Sequence, residues 1–248
     1  MSSDVAVTDD GAVRVVRLNR PEKKNALTRA MYGAVTEAIR EADESEAIRC
    51  LMIAGHAGAF CAGNDITDFL GAAQGDLDPR AHQFLLALAR RQKPLVAAVN
   101  GVAVGVGTTL LLHCDHVVAG TTATLSTPFI RLGLIPEAGS TLLAPMRMGH
   151  ARAFSMLVMG RPLTAAEAKE AGIVNTVVDP AQVDDIALDA AREIAALPPR
   201  TVAVTRGLMR SHLDDVLKQI DAELTHFKEL LQSDEARAAF TAFLARRK

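Results

Sequence analysis

Three short segments carry residues whose types and spacing could do chemistry. The first is Gly101-x3-Gly105-x-Gly107, which follows an apolar strand-like run and opens a helix-like one. Backbone N–H groups at such a turn are unobstructed, and the helix dipole points toward whatever they bind. The segment matches neither G-x-G-x-x-G nor the phosphate loop, and no Lys-Ser/Thr follows, which argues against a nucleotide phosphate. A lone oxyanion, such as a thioester oxygen becoming an enolate, needs only one or two donors. Taken alone, the segment fits better a glycine packed where a helix and a strand approach closely. The second segment, Phe60-Cys61-Ala62-Gly63-Asn64-Asp65-Ile66, also follows a strand and has small residues where backbone can approach a ligand. Two such turns, about forty residues apart, could offer converging N–H donors. The third is Leu134-Ile135-Pro136-Glu137-Ala138-Gly139, inside the nearly uncharged stretch Leu132–Met146. A carboxylate in apolar surroundings has a raised pKa and can hold or release a proton near neutrality. A first-turn helical glutamate facing water is an equal reading of the same residues.

Other chemistries find less support. The seven histidines form no H-x-x-x-H pair, and no metal site is expected. No G-x-S-x-G is present, which removes the hydrolase nucleophile elbow. Nothing near Cys61 would activate it, so it reads as a small core residue.

The elements that must position these segments alternate between strand and helix. Val13–Leu18, Cys50–Ala54, Leu95–Asn100 and His116–Ala119 read as strands. Thr28 can cap a helix to about Ala42 with Met31, Val35, Ala38 and Ile39 on one face. Pro79 starts a second helix through Arg91, and Gly105–Gly107 turns into a third ending at His113. From Leu142 the chain reads as helical apart from Ile173–Val178, with a Thr164/Glu167 capping box and a last helix capped by Ser233. This pattern predicts an α/β body over residues 1–195 and a helical region over 196–248.

Composition narrows the partners. The chain has 248 residues, 49% hydrophobic and 23% charged, which suits one folded body rather than disorder. With 27 Lys+Arg against 29 Asp+Glu there is no global basic field for nucleic acid or anionic membrane. No Trp and a single Tyr, Tyr32, remove the aromatic platforms of strand or sugar binding. Three cysteines without C-x-x-C spacing argue against a disulfide framework. Pro94–His113 carries no formal charge over a span-like length, but its glycines, Asn100, Thr108 and Thr109 break it into a buried strand, a turn and a buried helix. The acidic start MSSDVAVTDDGAV has no basic leader, and a cytoplasmic protein is expected.

In this order the segments resemble the crotonase (enoyl-CoA hydratase/isomerase) superfamily. The match is collinear. It runs through Leu18-Asn19-Arg20-Pro21, Asn25-Ala26-Leu27, Phe60–Ile66, Lys93-Pro94, Ala97–Gly101 and Cys114-Asp115. It continues through Pro128-Phe129, Leu132–Leu134, Gly160-Arg161, Ala165, Ala168, Gly172–Val174 and Ala242-Phe243. The resemblance implies a crotonase-like spiral of ββα units, an α-helical C-terminal region that packs trimers or dimers of trimers, and an acyl-CoA substrate. It implies an oxyanion hole from the backbone N–H groups of Asn64 and Val106. The family usually has Gly at the second position, and Val106 is expected to narrow the space over the thioester.

Two glutamates of the hydratases fall on Thr109 and Phe129, so both hydratase carboxylates are absent. What remains is Glu137, in a run resembling the peroxisomal-type Δ3,Δ2-enoyl-CoA isomerases, where this residue is the sole acid/base. The reaction implied moves a 3-enoyl double bond to the 2-position with no cofactor beyond the coenzyme A of the substrate. The rivals are a weak 2-enoyl-CoA hydratase and a non-catalytic acyl-CoA-binding protein. Coenzyme A contacts carry over to Lys24, Ala26, Ala62, Gly63, Asp65, Ile66, Gly107, Phe243 and Arg246. The acyl tail is expected along Ile66, Phe69, Leu70, Phe84 and Leu88.

Overall fold

The computed structural model describes residues 4–56, 58–65, 68 and 78–245, with side chains through 242. Its first strands, β1 (Val5–Asp10) and β2 (Val13–Leu18), form an antiparallel hairpin. Helix α1 (Arg29–Glu44) follows, and Thr28 Oγ1 accepts the Met31 N–H at 3.2 Å to close its first turn. Its predicted apolar face is the buried one: Met31, Val35, Ala38 and Ile39 are each under 5% exposed.

The chain then winds. β3 (Cys50–Ala54) gives way to a short β4 (Ala59–Cys61), then helix α2 (Arg80–Arg90) returns it to β5 (Leu95–Val99). β6 (Val102–Val104) leads into the single helical turn α3 (Val106–Thr109) and a 3-10 turn over Leu110–His113, and β7 (His116–Gly120) and β8 (Thr124–Ser126) repeat the pair. One six-stranded sheet is ordered β1-β2-β3-β5-β7-β10, ending on β10 (Thr176–Val178), and a second, of short strands, is ordered β4-β6-β8-β9, ending on β9 (Leu163–Thr164). Within this winding, β2–β3–β5–β7 and β4–β6–β8 pair in parallel. This is the spiral expected, and its central strands β3 and β5 are buried on both faces, which explains their unbroken apolar runs.

Helices α4 (Ser140–Met148) and α5 (His150–Leu157), strand β9 (Leu163–Thr164), helix α6 (Ala165–Glu170), strand β10 (Thr176–Val178) and helix α7 (Val183–Ala196) close the body. Thr164 and Glu167 form the predicted capping box. Helices α8 (Pro199–Met209), α9 (Leu213–Leu231) and α10 (Asp234–Ala245) follow. The span-like stretch Pro94–His113 is β5, β6, α3 and the 3-10 turn, and no helix among the described residues is long and apolar enough to cross a membrane.

Candidate active site

Asn25 joins the first loop to the second. Its side chain is fully buried, donating from Nδ2 to Ala59 O (2.8 Å) and Phe60 O (3.2 Å) and accepting the Arg20 N–H on Oδ1 (2.8 Å). Lys24 and Asn25 both take left-handed backbone, which turns the loop toward β4. Ala62 N–H donates to Lys24 O, Leu27 N–H to Gly63 O and Asp65 N–H to Leu27 O. That last pair is a one-residue parallel bridge between Leu27 and Asn64. In such a bridge the N–H of the flanked residue points away from its partner strand. Asn64 N–H is thus turned off Leu27, and among the described residues no hydrogen-bond acceptor is found for it.

The glycine turn comes to meet this loop. Gly105 has φ 56° and ψ −121°, a conformation only glycine holds cheaply, and a Cβ on it would lie 4.0 Å from Gly63 Cα. Gly63, at φ 90°, passes so close to Val104 that a Cβ would stand 3.0 Å from its carbonyl oxygen. The two predicted turns are therefore in contact. Val106 is the first residue of α3, where helical N–H groups lack intrahelical acceptors, and no acceptor is found for its N–H among the described residues. Gly107 packs against β4: a Cβ there would fall 2.6 Å from Cys61 O.

Glu137 closes the third side. Its Oε1 accepts a 2.6 Å hydrogen bond from Thr109 Oγ1, and its backbone oxygen accepts from Ser140 N–H. Burial pushes its carboxyl up to about 8, with the Thr109 hydroxyl pulling down and the Glu223 carboxylate adding to the rise. The alternative of a first-turn helical glutamate facing water does not fit, because Glu137 precedes α4 and its half-buried carboxyl is turned to Thr109. Asn64, Glu137 and Tyr32 share the wall of a cavity of about 240 Å³, with Leu27, Leu85, Ile220, Leu224, Phe227 and Leu231 supplying apolar surface. Tyr32 donates from its hydroxyl to Asn64 Oδ1 at 2.5 Å and packs tilted against Phe84, ring centroids 5.3 Å apart. A larger cleft of about 710 Å³ lies between the Leu112–Asp115 turn and helices α4 and α8. There His113 is bonded to Ala138 O, Asp115 pairs with Arg91 and Arg206, and Arg147, Arg206 and Arg210 donate to backbone carbonyls, so these groups are taken up in structural contacts.

The family model described as Enoyl-CoA hydratase/isomerase matches residues 8–248. The chain belongs to the enoyl-CoA hydratase/isomerase family. The 1,2-epoxyphenylacetyl-CoA isomerase of Escherichia coli (strain K12) is 35% identical over 243 residues, covering 95% of this chain and 93% of that one. Enoyl-CoA delta isomerase 2 of Rattus norvegicus is 33% identical over 254 residues; the match covers 99% of this chain, which spans only 64% of that protein. The solved structure of Pseudomonas aeruginosa OdaA superposes with a TM-score of 0.94 at 41% identity, covering 98% of this chain and 99% of that one.

Several expected site residues sit differently from expectation. Val106 was expected to narrow the space over a thioester, but its side chain is 1% exposed in the main core and is not on the cavity wall. Phe84 and Leu88 are each 1% exposed, on the core side of α2, and the cavity meets Ala81, His82 and Leu85 on the next face. The apolar stripe predicted for the tail thus holds up Tyr32. Asp65 lines the cavity with its carboxylate held by Arg20 Nη1 at 2.6 Å. Lys24 is exposed and Ala26 half-buried, both on the loop stitched to Ala62 and Gly63. Ile66, Phe69, Leu70 and Arg246 lie outside the described residues, as does the Phe243 side chain. Sequence reasoning missed Asn25 as the tie between loops, Thr109 as the partner of Glu137, and Glu223. Only the first two fall inside segments the sequence had already singled out.

Proposed function

We propose that this enzyme moves the double bond of a 3-enoyl-CoA to the 2-position, with Glu137 as its single acid/base. The observation that carries the reading is the half-buried Glu137 carboxyl, hydrogen-bonded by Thr109 at 2.6 Å on the wall of a cavity that Asn64 also lines, with the Gly105-Val106 turn packed against the Asn64 loop; burial raises that carboxyl to about 8. The Glu137 carboxylate takes the C2 proton, and the electron pair moves through C1 onto the thioester oxygen to give a dienolate. Asn64 and Val106 N–H hold that oxygen, each donor worth roughly 10²–10³ in rate. The same carboxyl returns the proton to C4, leaving the bond between C2 and C3. Electrons and protons balance within the substrate, so the reaction calls for no redox partner, and coenzyme A enters only as part of the substrate.

Hydration needs a second group to orient and deprotonate water. Thr109 and Phe129 stand where the family's hydratases carry glutamates, and Phe129 is buried among Leu134, Leu231 and Phe240. Glu223, the carboxylate that acts on Glu137, is 2% exposed and faces Gly139 and Thr141 rather than the cavity. For coenzyme A we propose Lys24, Ala26, Ala62, Gly63 and Asp65, on the rim formed by the stitched loops. The homotrimer or dimer of trimers that the resemblance implies is proposed here too, and the exposed Met146, Phe154, Leu208 and Met209 on helices α4, α5 and α8 offer apolar surface for a subunit interface.

The test is turnover of a medium-chain trans-3-enoyl-CoA, followed by the ultraviolet band of the conjugated thioester, with Glu137→Gln beside wild type. Rapid conjugation, lost in the variant, is expected. An inactive wild type that hydrates 2-enoyl-CoA would overturn the assignment.

A further inference from the structure

We propose that Glu223, on helix α9, is a positioning residue for Glu137: it clamps the Glu137–Ser140 turn through Gly139 and Thr141 and so keeps the acid/base aimed at the substrate. The inference rests on Glu137 being the acid/base. Glu223 is 2% exposed, yet both its oxygens are occupied. Oε2 accepts the Gly139 N–H at 2.6 Å; Oε1 accepts the Thr141 N–H at 2.9 Å and the Thr141 hydroxyl at 2.6 Å. Gln219 Nε2 donates to the same hydroxyl at 2.7 Å, which leaves its hydrogen for Glu223. Three donors on two oxygens fit the ionised carboxylate, since a protonated one would set an O–H against a donor.

The turn it holds needs holding. Ala138 and Gly139 follow Glu137 with φ 67° and 66°, and a left-handed alanine is a costly backbone state. Helix α4 has no side-chain cap of its own, so Glu223 reaches across from α9 to supply one. On the far side His113 Nε2 donates to Ala138 O at 2.7 Å. Packing seals the clamp: a Cβ on Gly139 would stand 3.1 Å from Val216 Cγ1. The C-terminal region is thereby coupled to the reacting carboxyl.

Glu223 also acts on Glu137 as a charge: burial raises its own carboxyl, and the hydrogen bonds from Thr141 and Gly139 work to keep it ionised. The titratable groups around Glu137 are Tyr32 from α1, Cys61 from β4, Glu223 from α9 and, behind Ala138, His113, while Arg29, Asp65, Asp68, Asp78, His82 and Lys228 share its cavity wall. Burial keeps the first two neutral, Tyr32 well above its usual range and Cys61 up to about 12. Burial likewise takes His113 down to about 3. Removing the Glu223 charge should therefore bring the Glu137 titration to lower pH, which a merely structural cap would not do.

The experiment is Glu223→Gln in the full chain, with the Glu137 carboxyl titrated by carbon-13 NMR and assigned against Glu137→Gln. The Glu137 midpoint is expected to fall, and kcat on a 3-enoyl-CoA to drop on the order of tenfold with KM little changed, as misaligning a catalytic group would produce. Glu223→Asp, which keeps the charge, should restore the midpoint but not the full kcat. If Glu223→Gln does not fold, Thr141→Val replaces it, removing one clamp hydrogen bond, and a lowered kcat is expected. A folded variant with midpoint and kcat unchanged would overturn the proposal. Wild type inactive on 3-enoyl-CoA would instead sink the isomerase reading, while the NMR midpoint still reports whether Glu223 acts on Glu137.

Discussion

Thr109 Oγ1 lies 2.6 Å from Glu137 Oε1. Thr109, which the resemblance places where hydratases carry a carboxylate, here supplies the hydroxyl that holds another carboxylate. Because the hydroxyl donates to the charged form, it favours ionisation of Glu137 against the burial that opposes it. Thr109→Val, close in shape, removes that donor. It should push the Glu137 titration further up and lower the rate at neutral pH, while Glu223→Gln moves the same midpoint down. Opposite displacements in two pH–rate profiles are the check, and displacement in one direction for both would contradict this account.

Proton removal from C2 requires the ionised form of Glu137, so kcat/KM should climb with pH and level off above about 8. The effect on stability has the opposite sense. A carboxyl at about 8 in the folded protein, against its usual 4.5, keeps a proton that the unfolded chain has already released. Stability from this group is therefore complete below pH 4.5 and is given up as pH rises toward 8. Glu137→Gln should be inactive by roughly 10²–10⁴, and in chemical denaturation it should lose less stability than wild type between pH 5 and pH 8.

How far the sequence could go is visible in these residues. Strands β3, β5 and β7 were legible because burial on both faces leaves a nearly unbroken apolar run, and β2 because its valines stand out around Arg14 and Arg17. The three-residue strands β4, β6 and β8 were not, since a segment that short has no period to detect, and with them went the second sheet. The segments that hold Glu137, Asn64 and Val106 could be singled out because each carries a local signal of turn, glycine or proline, while the choice of Asn64 and Val106 within them rested on the family resemblance. Glu223 could not, because a helical glutamate among polar neighbours on α9 carries no local mark of burial. Only tertiary packing brings it to Gly139. Phe84 and Leu88 were assigned to the wrong neighbour for a related reason: an apolar stripe says that a face is buried, but not against what.

Tyr32 is the next residue to test. Its hydroxyl donates to Asn64 Oδ1, and its ring is fixed against Phe84. The Asn64 side chain and the backbone N–H beside it are thus braced from α1. Tyr32→Phe keeps the ring and loses the brace. Oxyanion donors work by being held in place before the reaction, so the expected result is a fall in kcat of about tenfold with a small change in KM and an unaltered pH midpoint. A KM effect alone would show that Tyr32 only shapes the cavity.

Asp115 tests the scaffold apart from the chemistry. Its carboxylate accepts from Arg91 Nη2, Arg206 Nε and Leu95 N–H, each at 2.9 Å, joining α2, the start of β5 and helix α8. The Arg91 side chain has no exposed surface, so loss of its counter-charge leaves a buried cation unpaired. Asp115→Asn should cost about 3–5 kcal/mol, a large part of the 5–15 kcal/mol typical of a whole protein, and should lower Tm by roughly 10 °C. Burial works to raise the Asp115 carboxyl, but Arg91 and Arg206 together hold it below the usual carboxylate range. Stability from a depressed carboxyl is present above its unfolded pKa and is lost as pH falls through the folded one. The gap in Tm between wild type and Asp115→Asn should therefore be full at pH 7 and close as the solution is acidified below about 4. A gap that stays constant into acid would mean that Asp115 contributes through shape and hydrogen bonding rather than through its charge.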